Sequence, residues 1–276
     1  MLKILVNGCN GKMGSVVCNQ IMQDKSLILV GGVDVNNQDN HAGFKVYNNI
    51  FSIKETIDVI IDFSHPCSLS NLLIYCEENN IPLVIGTTGI SDADMEKIKS
   101  SSKKIPIFYS TNMSLGINTL VSLVQKAASI LGDNFDIEII EKHHNRKVDA
   151  PSGTAYMIGK AINEEFDNKK HFVFGRHSKD EKRQSEEIGI HAIRGGTIVD
   201  EHEVIFAGCD EILEIKHTAS SKNIFAQGAI KAAKFVHNKG KGFYNMKDII
   251  EAWNHSNERI ENKWIIGKIL SMTLIN

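Results

Sequence analysis

The sequence predicts an α/β fold in two parts: a parallel-sheet domain wound with helices, and an α+β domain on a mostly antiparallel sheet. Three observations predict it. Up to about residue 110, short apolar runs alternate with amphipathic stretches. A glycine-rich turn joins the first run to the first helix. After residue 170, β-like runs follow one another directly, broken by glycines. Buried parallel strands read as continuous apolar runs separated by helices, whereas antiparallel strands need only turns between them.

In order, "LKILVNG" is a strand, Lys12–Asp24 a helix and "SLILVGGVD" a second strand. "DVIIDF" (58–63), "PLVIGTT" (82–88) and "IPIFYS" (105–110) are further strands. Between them "PCSLSNLLIYCEENN" and "SDADMEKIKSS" are helical, the latter with Ser91 as N-cap and Asp92 and Asp94 in its first turn. After Asn112 comes a long helix, "LGINTLVSLVQKAASILG", then the strand "FDIEIIEKHH" and a helix over 154–166. "HFVFGR", "EEIGIHAIRGG", "TIVDEHEVIFAG" and "DEILEIKHTAS" form the second sheet. A last helix places Phe225, Ala229, Ala232 and Val236 on one face.

With 276 residues, 42% of them hydrophobic, the chain can bury a full core. A net charge of −2 gives no field favouring nucleic acid or an anionic membrane. No signal-peptide pattern opens the chain, and no continuous apolar run approaches the length of a bilayer span. The five cysteines form no C-x-x-C pair and suit free thiols in a reducing cytoplasm.

"VNGCNGKMG" follows the first strand and opens the first helix, with Gly8, Gly11 and Gly14 spaced by three. In this Rossmann-type setting glycines let the backbone approach a pyrophosphate, and the helix N-terminus supplies N–H groups and partial positive charge. A tight turn without ligand is the alternative. Asp34 ends the second strand, where a carboxylate can accept the hydroxyls of an adenosine ribose. It would repel a 2′-phosphate, and Val35, Asn36 and Asn37 add no cation; only Lys12 can meet that phosphate. The reading favours NADH, with NADPH tolerated. "GTTG" (86–89) and "STNMSLG" (110–116) each follow a strand at the carboxyl edge, where open α/β sheets bind ligands.

"EKHHNRKVDAPSGTA" (141–155) crowds two histidines, two cations and a helix start together. Neighbouring strand residues point to opposite faces, and Ile139–Ile140 breaks the alternation, so parity does not choose between His143 and His144. No H-E-x-x-H or cysteine spacing completes a metal site, so no metal is expected. Pro151 fixes a turn, Ser152, Gly153 and Thr154 begin a helix, and Lys147 adds a full charge. Together they make a cradle for a small dianion beside an imidazole able to donate a proton near neutral pH.

"GCNGKMG", "IGTTG", "STNMSLG", "EIIEKHHNRKVDAPSGTA", "IRGGTIVDEHEV" and "LEIKHTASSKNIFAQGA", in this order, resemble the dihydrodipicolinate reductase family. The resemblance implies NAD(P)H-dependent reduction of 4-hydroxy-tetrahydrodipicolinate to tetrahydrodipicolinate with loss of water, in the diaminopimelate route to lysine. It implies cofactor contacts at Gly8, Cys9, Asn10, Gly11, Lys12, Met13, Asp34, Gly86, Thr87, Thr88, Ser110, Thr111, Asn112 and Met113. It makes His143 the acid/base, Lys147 the proton donor, and His144, Gly153 and Thr154 the substrate contacts. It also implies a discontinuous dinucleotide-binding domain (1–113 and 222–276), a substrate-binding and oligomerisation domain (114–221), and a homotetramer. Two features depart from the family. Val35 stands where many members carry a basic residue, and the chain runs on through 251–276 as a docking helix or tail. The rival activity is that of another two-domain NAD(P)-dependent dehydrogenase, of aspartate or homoserine type. A non-catalytic dinucleotide sensor would not need the 141–155 block.

Overall fold

The computed structural model describes residues 1–35 and 43–253, so Asn36, Asn37 and most of the C-terminal extension lie outside the described residues. In chain order the elements are β1 (Leu2–Asn7), α1 (Lys12–Gln23), β2 (Leu27–Val33), β3 (Val46–Tyr47), β4 (Val59–Asp62), α2 (Leu69–Asn79), β5 (Leu83–Ile85), α3 (Asp92–Ser102) and β6 (Pro106–Tyr109). There follow α4 (Leu115–Leu131), β7 (Asp136–His143), α5 (Gly153–Glu164), β8 (His171–Phe174), β9 (Glu187–Arg194), β10 (Asp200–Ala207), β11 (Ile212–Ala219), α6 (Asn223–His237) and β12 (Gly242–Tyr244). A further helix occupies 246–253. The chain divides into one unit of Met1–Met113 with Ala226–Asn276 and a second of Ser114–Phe225.

The first unit holds a seven-stranded sheet in the order β12-β6-β5-β4-β1-β2-β3, every pairing parallel. Ile4, Leu5, Ile60, Leu83 and Ile107 are wholly buried in it, which is why these runs read as unbroken apolar segments. Strand order reverses between β1 and β4, and this switch point opens the crevice at the carboxyl ends where such sheets take ligands. Ser91 caps α3 by accepting the Asp94 N–H at 3.1 Å. Two short parallel strands, β3 and β12, carried no period-2 signal in the sequence, having only two and three residues.

The second unit is a mixed sheet in the order β11-β10-β7-β9-β8. β11, β10 and β7 are antiparallel neighbours, while β9 and β8 run parallel to β7. The α5 crossover returns the chain in the direction of β7, and the 175–186 loop does so again. That loop is pinned to Glu138 by Arg176 at 2.9 Å and Arg183 at 3.1 Å. Helices α4 and α5 bury Leu120, Val124, Ile158 and Ile162 against Ile137, Ile139, Val204 and Phe206. Leu115–Asn134 is long and apolar enough to cross a membrane, but its apolar stripe lies in this core.

Strand β7 alternates strictly, with Ile137, Ile139, Glu141 and His143 buried and Glu138, Ile140 and Lys142 partly exposed. Ile140 therefore continues the period rather than breaking it: it lies on the opposite, less covered face. The alternation places His143, not His144, on the buried face.

Candidate active site

The face of the second sheet that packs under α4 and α5 changes character along its length. Ile137 and Ile139 on β7 give way to Glu141 and His143, and Val204 on β10 gives way to His202 and Asp200. Glu141 pairs with His202 across the two strands, so the four polar residues share one end of an otherwise apolar face. All four are buried. Buried charges are costly unless they are paired, and here each carboxylate has an ionic partner within 4 Å. His143 Nδ1 lies 2.7 Å from Glu141 Oε2, while its Nε2 lies 3.7 Å from Asp200 Oδ2. Asp200 Oδ1 is 2.8 Å from His202 Nδ1, an ion-pair contact rather than a hydrogen bond. His202 Nε2 meets Ser152 Oγ at 2.9 Å. Arg194 donates to both Glu141 oxygens at 2.7 Å.

These contacts set the charges. Burial alone would push His143 down, but Asp200 and Glu141 outweigh it and hold the imidazole above its ordinary value. Burial would raise Glu141, yet His143, Arg194 and the Ser152 N–H bring its carboxyl down to about 2. Asp200 is likewise depressed by His143 and His202 against the opposing effect of burial.

The turn after β7 brings the remaining residues to the same end. The Lys147 N–H donates to the His144 carbonyl at 3.1 Å, and Lys147 Nζ pairs with Asp149 at 2.9 Å. The Ser152 N–H donates to Glu141 at 2.9 Å, and its hydroxyl accepts the Ala155 N–H at 3.1 Å, capping α5. Gly153 and Thr154 open that helix; Gly153 is exposed, with no atom within 4 Å of where a Cβ would stand. His144 lines a cavity of about 230 Å³ shared with Arg146, Lys222 and Ser221. Its buried Nδ1 has no partner, and burial followed by the nearby cations lowers its pKa.

His143, Asp200 and His202 also offer possible metal-ligand atoms within 4.8 Å of one another. The expectation of no metal rested on spacing within one segment, and this set is assembled from two strands.

In the first unit Gly8, Gly11 and Asp34 line the switch-point crevice, while Gly86–Thr88 follow β5 and Ser110–Met113 follow β6. Gly8 has φ +78°, and a Cβ there would lie 2.6 Å from the Phe63 carbonyl oxygen, so only glycine fits. The Asn10 N–H donates to Asp34 at 3.0 Å, tying the glycine loop to the end of β2. A cavity of about 760 Å³ is lined by Gly8, Gly11, Asp34, Phe63, Ser64 and Asn71, a size and lining that fit the adenosine half of a dinucleotide. Lys12 and Val35 are exposed beside it. The Cys9 thiol is buried, and burial pushes it up to about 11. Thr87 is turned inward too, its hydroxyl donating to Asp62 at 2.7 Å, flanked by Gly86 and Thr88. After β6, Ser110 Oγ donates to the Asn112 carbonyl at 2.8 Å, and Asn112 and Met113, which follow the exposed Thr111, are buried.

Sequence reasoning missed Glu141, Arg194, Asp200, His202 and Asp62. The signal for three of them was present: E-x-H at 141–143 and D-x-H at 200–202 put polar residues at period 2 on strands whose same face is otherwise apolar. Asp62 is wholly buried and also accepts from Asn7 at 2.8 Å, joining the carboxyl ends of β1, β4 and β5.

Profiles described as "Dihydrodipicolinate reductase, N-terminus" and "Dihydrodipicolinate reductase, C-terminus" match residues 2–113 and 116–250. The chain belongs to the dihydrodipicolinate reductase family. Within that family it is 49% identical over 251 residues to the 4-hydroxy-tetrahydrodipicolinate reductase of Caldanaerobacter subterraneus subsp. tengcongensis, covering 91% of this chain and 99% of the relative. It is 48% identical over 246 residues to that of Clostridium tetani, covering 89% and 96%. The dipicolinate-bound dihydrodipicolinate reductase from Paenisporosarcina sp. TG-14 is 26% identical, with a TM-score of 0.72 over 89% of this chain and 97% of that one. A probable dehydrogenase from Thermotoga maritima, 12% identical with a TM-score of 0.60 over 90% of this chain and 92% of that one, shares the fold alone. The mixed α/β architecture of the family is the one described above.

Proposed function

We propose that the cluster around His143 is the proton-donating and dicarboxylate-binding site of this reductase. The chain is an NAD(P)H-dependent oxidoreductase of its family, reducing 4-hydroxy-tetrahydrodipicolinate with loss of water in the diaminopimelate route to lysine. The observation that supports the site is a buried imidazole, flanked by two carboxylates, beside a capped helix start and a lysine.

A reduced nicotinamide, when bound, supplies the hydride. The residues of this chain do the rest. Glu141 occupies Nδ1 of His143, so Nε2 is the atom left to donate a proton. Lys147 supplies positive charge and a second exchangeable proton. The N–H groups of Gly153 and Thr154, at the positive end of α5, receive a carboxylate, and His144 contacts the substrate. Gly8–Met13, Asp34, Gly86–Thr88 and Ser110–Met113 hold the cofactor, with NADH favoured because Asp34 repels a 2′-phosphate and Val35 offers nothing to offset it. The first unit is then the dinucleotide-binding domain, and the second the substrate-binding domain, through whose sheet a cytoplasmic homotetramer assembles.

The test is turnover with 4-hydroxy-tetrahydrodipicolinate against a panel of small carbonyl and imine substrates, including those of aspartate and homoserine dehydrogenases. The reading requires a strong preference for the cyclic dicarboxylate. Faster turnover of an acyclic amino-acid substrate would overturn it.

A further inference from the structure

Asp200 has no task in the reading above, although it is among the most confined ionic groups of the second unit. Glu141 is balanced by a two-pronged contact with Arg194. The contacts of Asp200 are two imidazoles: His143 at 3.7 Å and His202 at 2.8 Å. Antiparallel pairing of β10 with β7, which runs to Glu201 opposite Lys142, brings it next to His143. His202, wholly buried, passes the contact on to the hydroxyl of Ser152, the residue that caps α5.

We propose that Asp200 is a positioning residue that holds the outer nitrogen of His143 in its proton-bearing state, with His202 linking this pair to the α5 turn that receives substrate. The proposal rests on His143 being the acid. A buried carboxylate without a counter-charge is strongly unfavourable. With Arg194 committed to Glu141, the charge that balances Asp200 comes from the imidazoles. Proton loss from His143 therefore leaves Asp200 poorly compensated, and the site favours reprotonation after each turnover. Among the described residues, the titratable and charged groups around His143 are Glu141 and His144 on or next to its own strand, Arg194 opposite it on β9, Asp200 and His202 on β10, and His217 on β11 beyond His202. The pKa directions agree: burial works against both charges, yet His143 is held up and Asp200 held down.

The experiment is Asp200→Asn in the full chain, reading kcat and KM across pH together with inhibition by dipicolinate. Near neutral pH kcat should fall roughly ten- to a hundredfold, part of the effect of a positioned acid. The high-pH limb of kcat should move to lower pH, while dipicolinate inhibition changes little and Asp200→Glu recovers part of the rate. A lower kcat with an unmoved limb would make Asp200 merely structural and overturn the proposal, as would wild-type kcat. Should Asp200→Asn not fold, nitrogen NMR of the wild-type protein decides: a His143 ring protonated on both nitrogens near neutral pH supports the proposal, and a neutral ring overturns it. His143→Ala separates the two readings. If that variant keeps its kcat, the acid assignment itself fails; if it is inactive while Asp200→Asn is silent, only the positioning role fails.

Discussion

Arg194 reaches from β9 to β7 and holds both oxygens of Glu141, one Nη atom at 2.7 Å from each. Neither oxygen is left to Arg194 alone, because His143 and the Ser152 N–H share them. Arg194→Ala takes one of these partners from a buried carboxylate but leaves His143 and the Ser152 N–H on it, so the stability of the second unit should fall by about 1–3 kcal/mol. Urea unfolding at neutral pH measures this, and a loss below ~1 kcal/mol would show the pair to be dispensable.

The same contacts make the protein sensitive to acid. Glu141 is held at about 2, below its ordinary value of 4.5. Its contribution is complete above the unfolded value and is lost as pH falls from there through the folded one. His143, whose value is raised, contributes in the opposite sense: fully below its ordinary value of 6.5, and less as pH rises through its folded value. The midpoint of urea unfolding should therefore drop steeply below about pH 4.5 in the wild type and less so in Glu141→Gln. Parallel acid limbs in the two proteins would remove Glu141 from the account.

His143→Ala should lower kcat by about two orders of magnitude or more, as expected for loss of a positioned acid. Cofactor affinity, measured by fluorescence titration with NADH, should barely change. Near-wild-type kcat would sink the assignment.

Dipicolinate, a flat dicarboxylate, should compete with substrate. Lys147→Ala should weaken that competition and slow turnover, since charge and proton are lost together. Monocarboxylate analogues binding equally well would refute a pocket for two carboxylates.

Asp34 and Val35 predict kcat/KM for NADH equal to or above that for NADPH. A misplaced phosphate beside a carboxylate costs on the order of 1–2 kcal/mol when partly exposed, or roughly tenfold in affinity. Lys12→Ala should harm NADPH more than NADH, and Val35→Arg should swing preference to NADPH. A wild-type preference for NADPH of about tenfold or more would defeat the Asp34 argument.

What the sequence disclosed was whatever lies within one segment. Gly8, Gly11 and Asp34 are readable because a strand, a turn and a helix follow each other without interruption. His143, Lys147 and Ser152 are readable because a single turn carries them. Asp200 and His202 stayed hidden because nothing local says that β10 lies next to β7 or in which register; their meaning comes from the pairing of His202 with Glu141. Asp62 looked like an ordinary strand-end acid until Asn7, Ser64 and Thr87 were seen to converge on it from separate strand ends. The reading of Ile139–Ile140 as a break failed because a partly exposed isoleucine is indistinguishable in sequence from a buried one.

Strand β12 joins β6 from far along the chain. While the protein is being synthesised, β6 emerges and then waits for roughly 130 residues, or about ten seconds at ordinary rates, before its neighbour exists. The intervening stretch contains the whole second unit, which is contiguous and needs nothing from beyond Phe225 to complete its own sheet. The domain that begins first therefore finishes last. In the interval its open β6 edge is an unpaired strand available to any nascent neighbour, and shortening the gap by circular permutation should reduce aggregation during expression more than it alters the stability of the finished molecule.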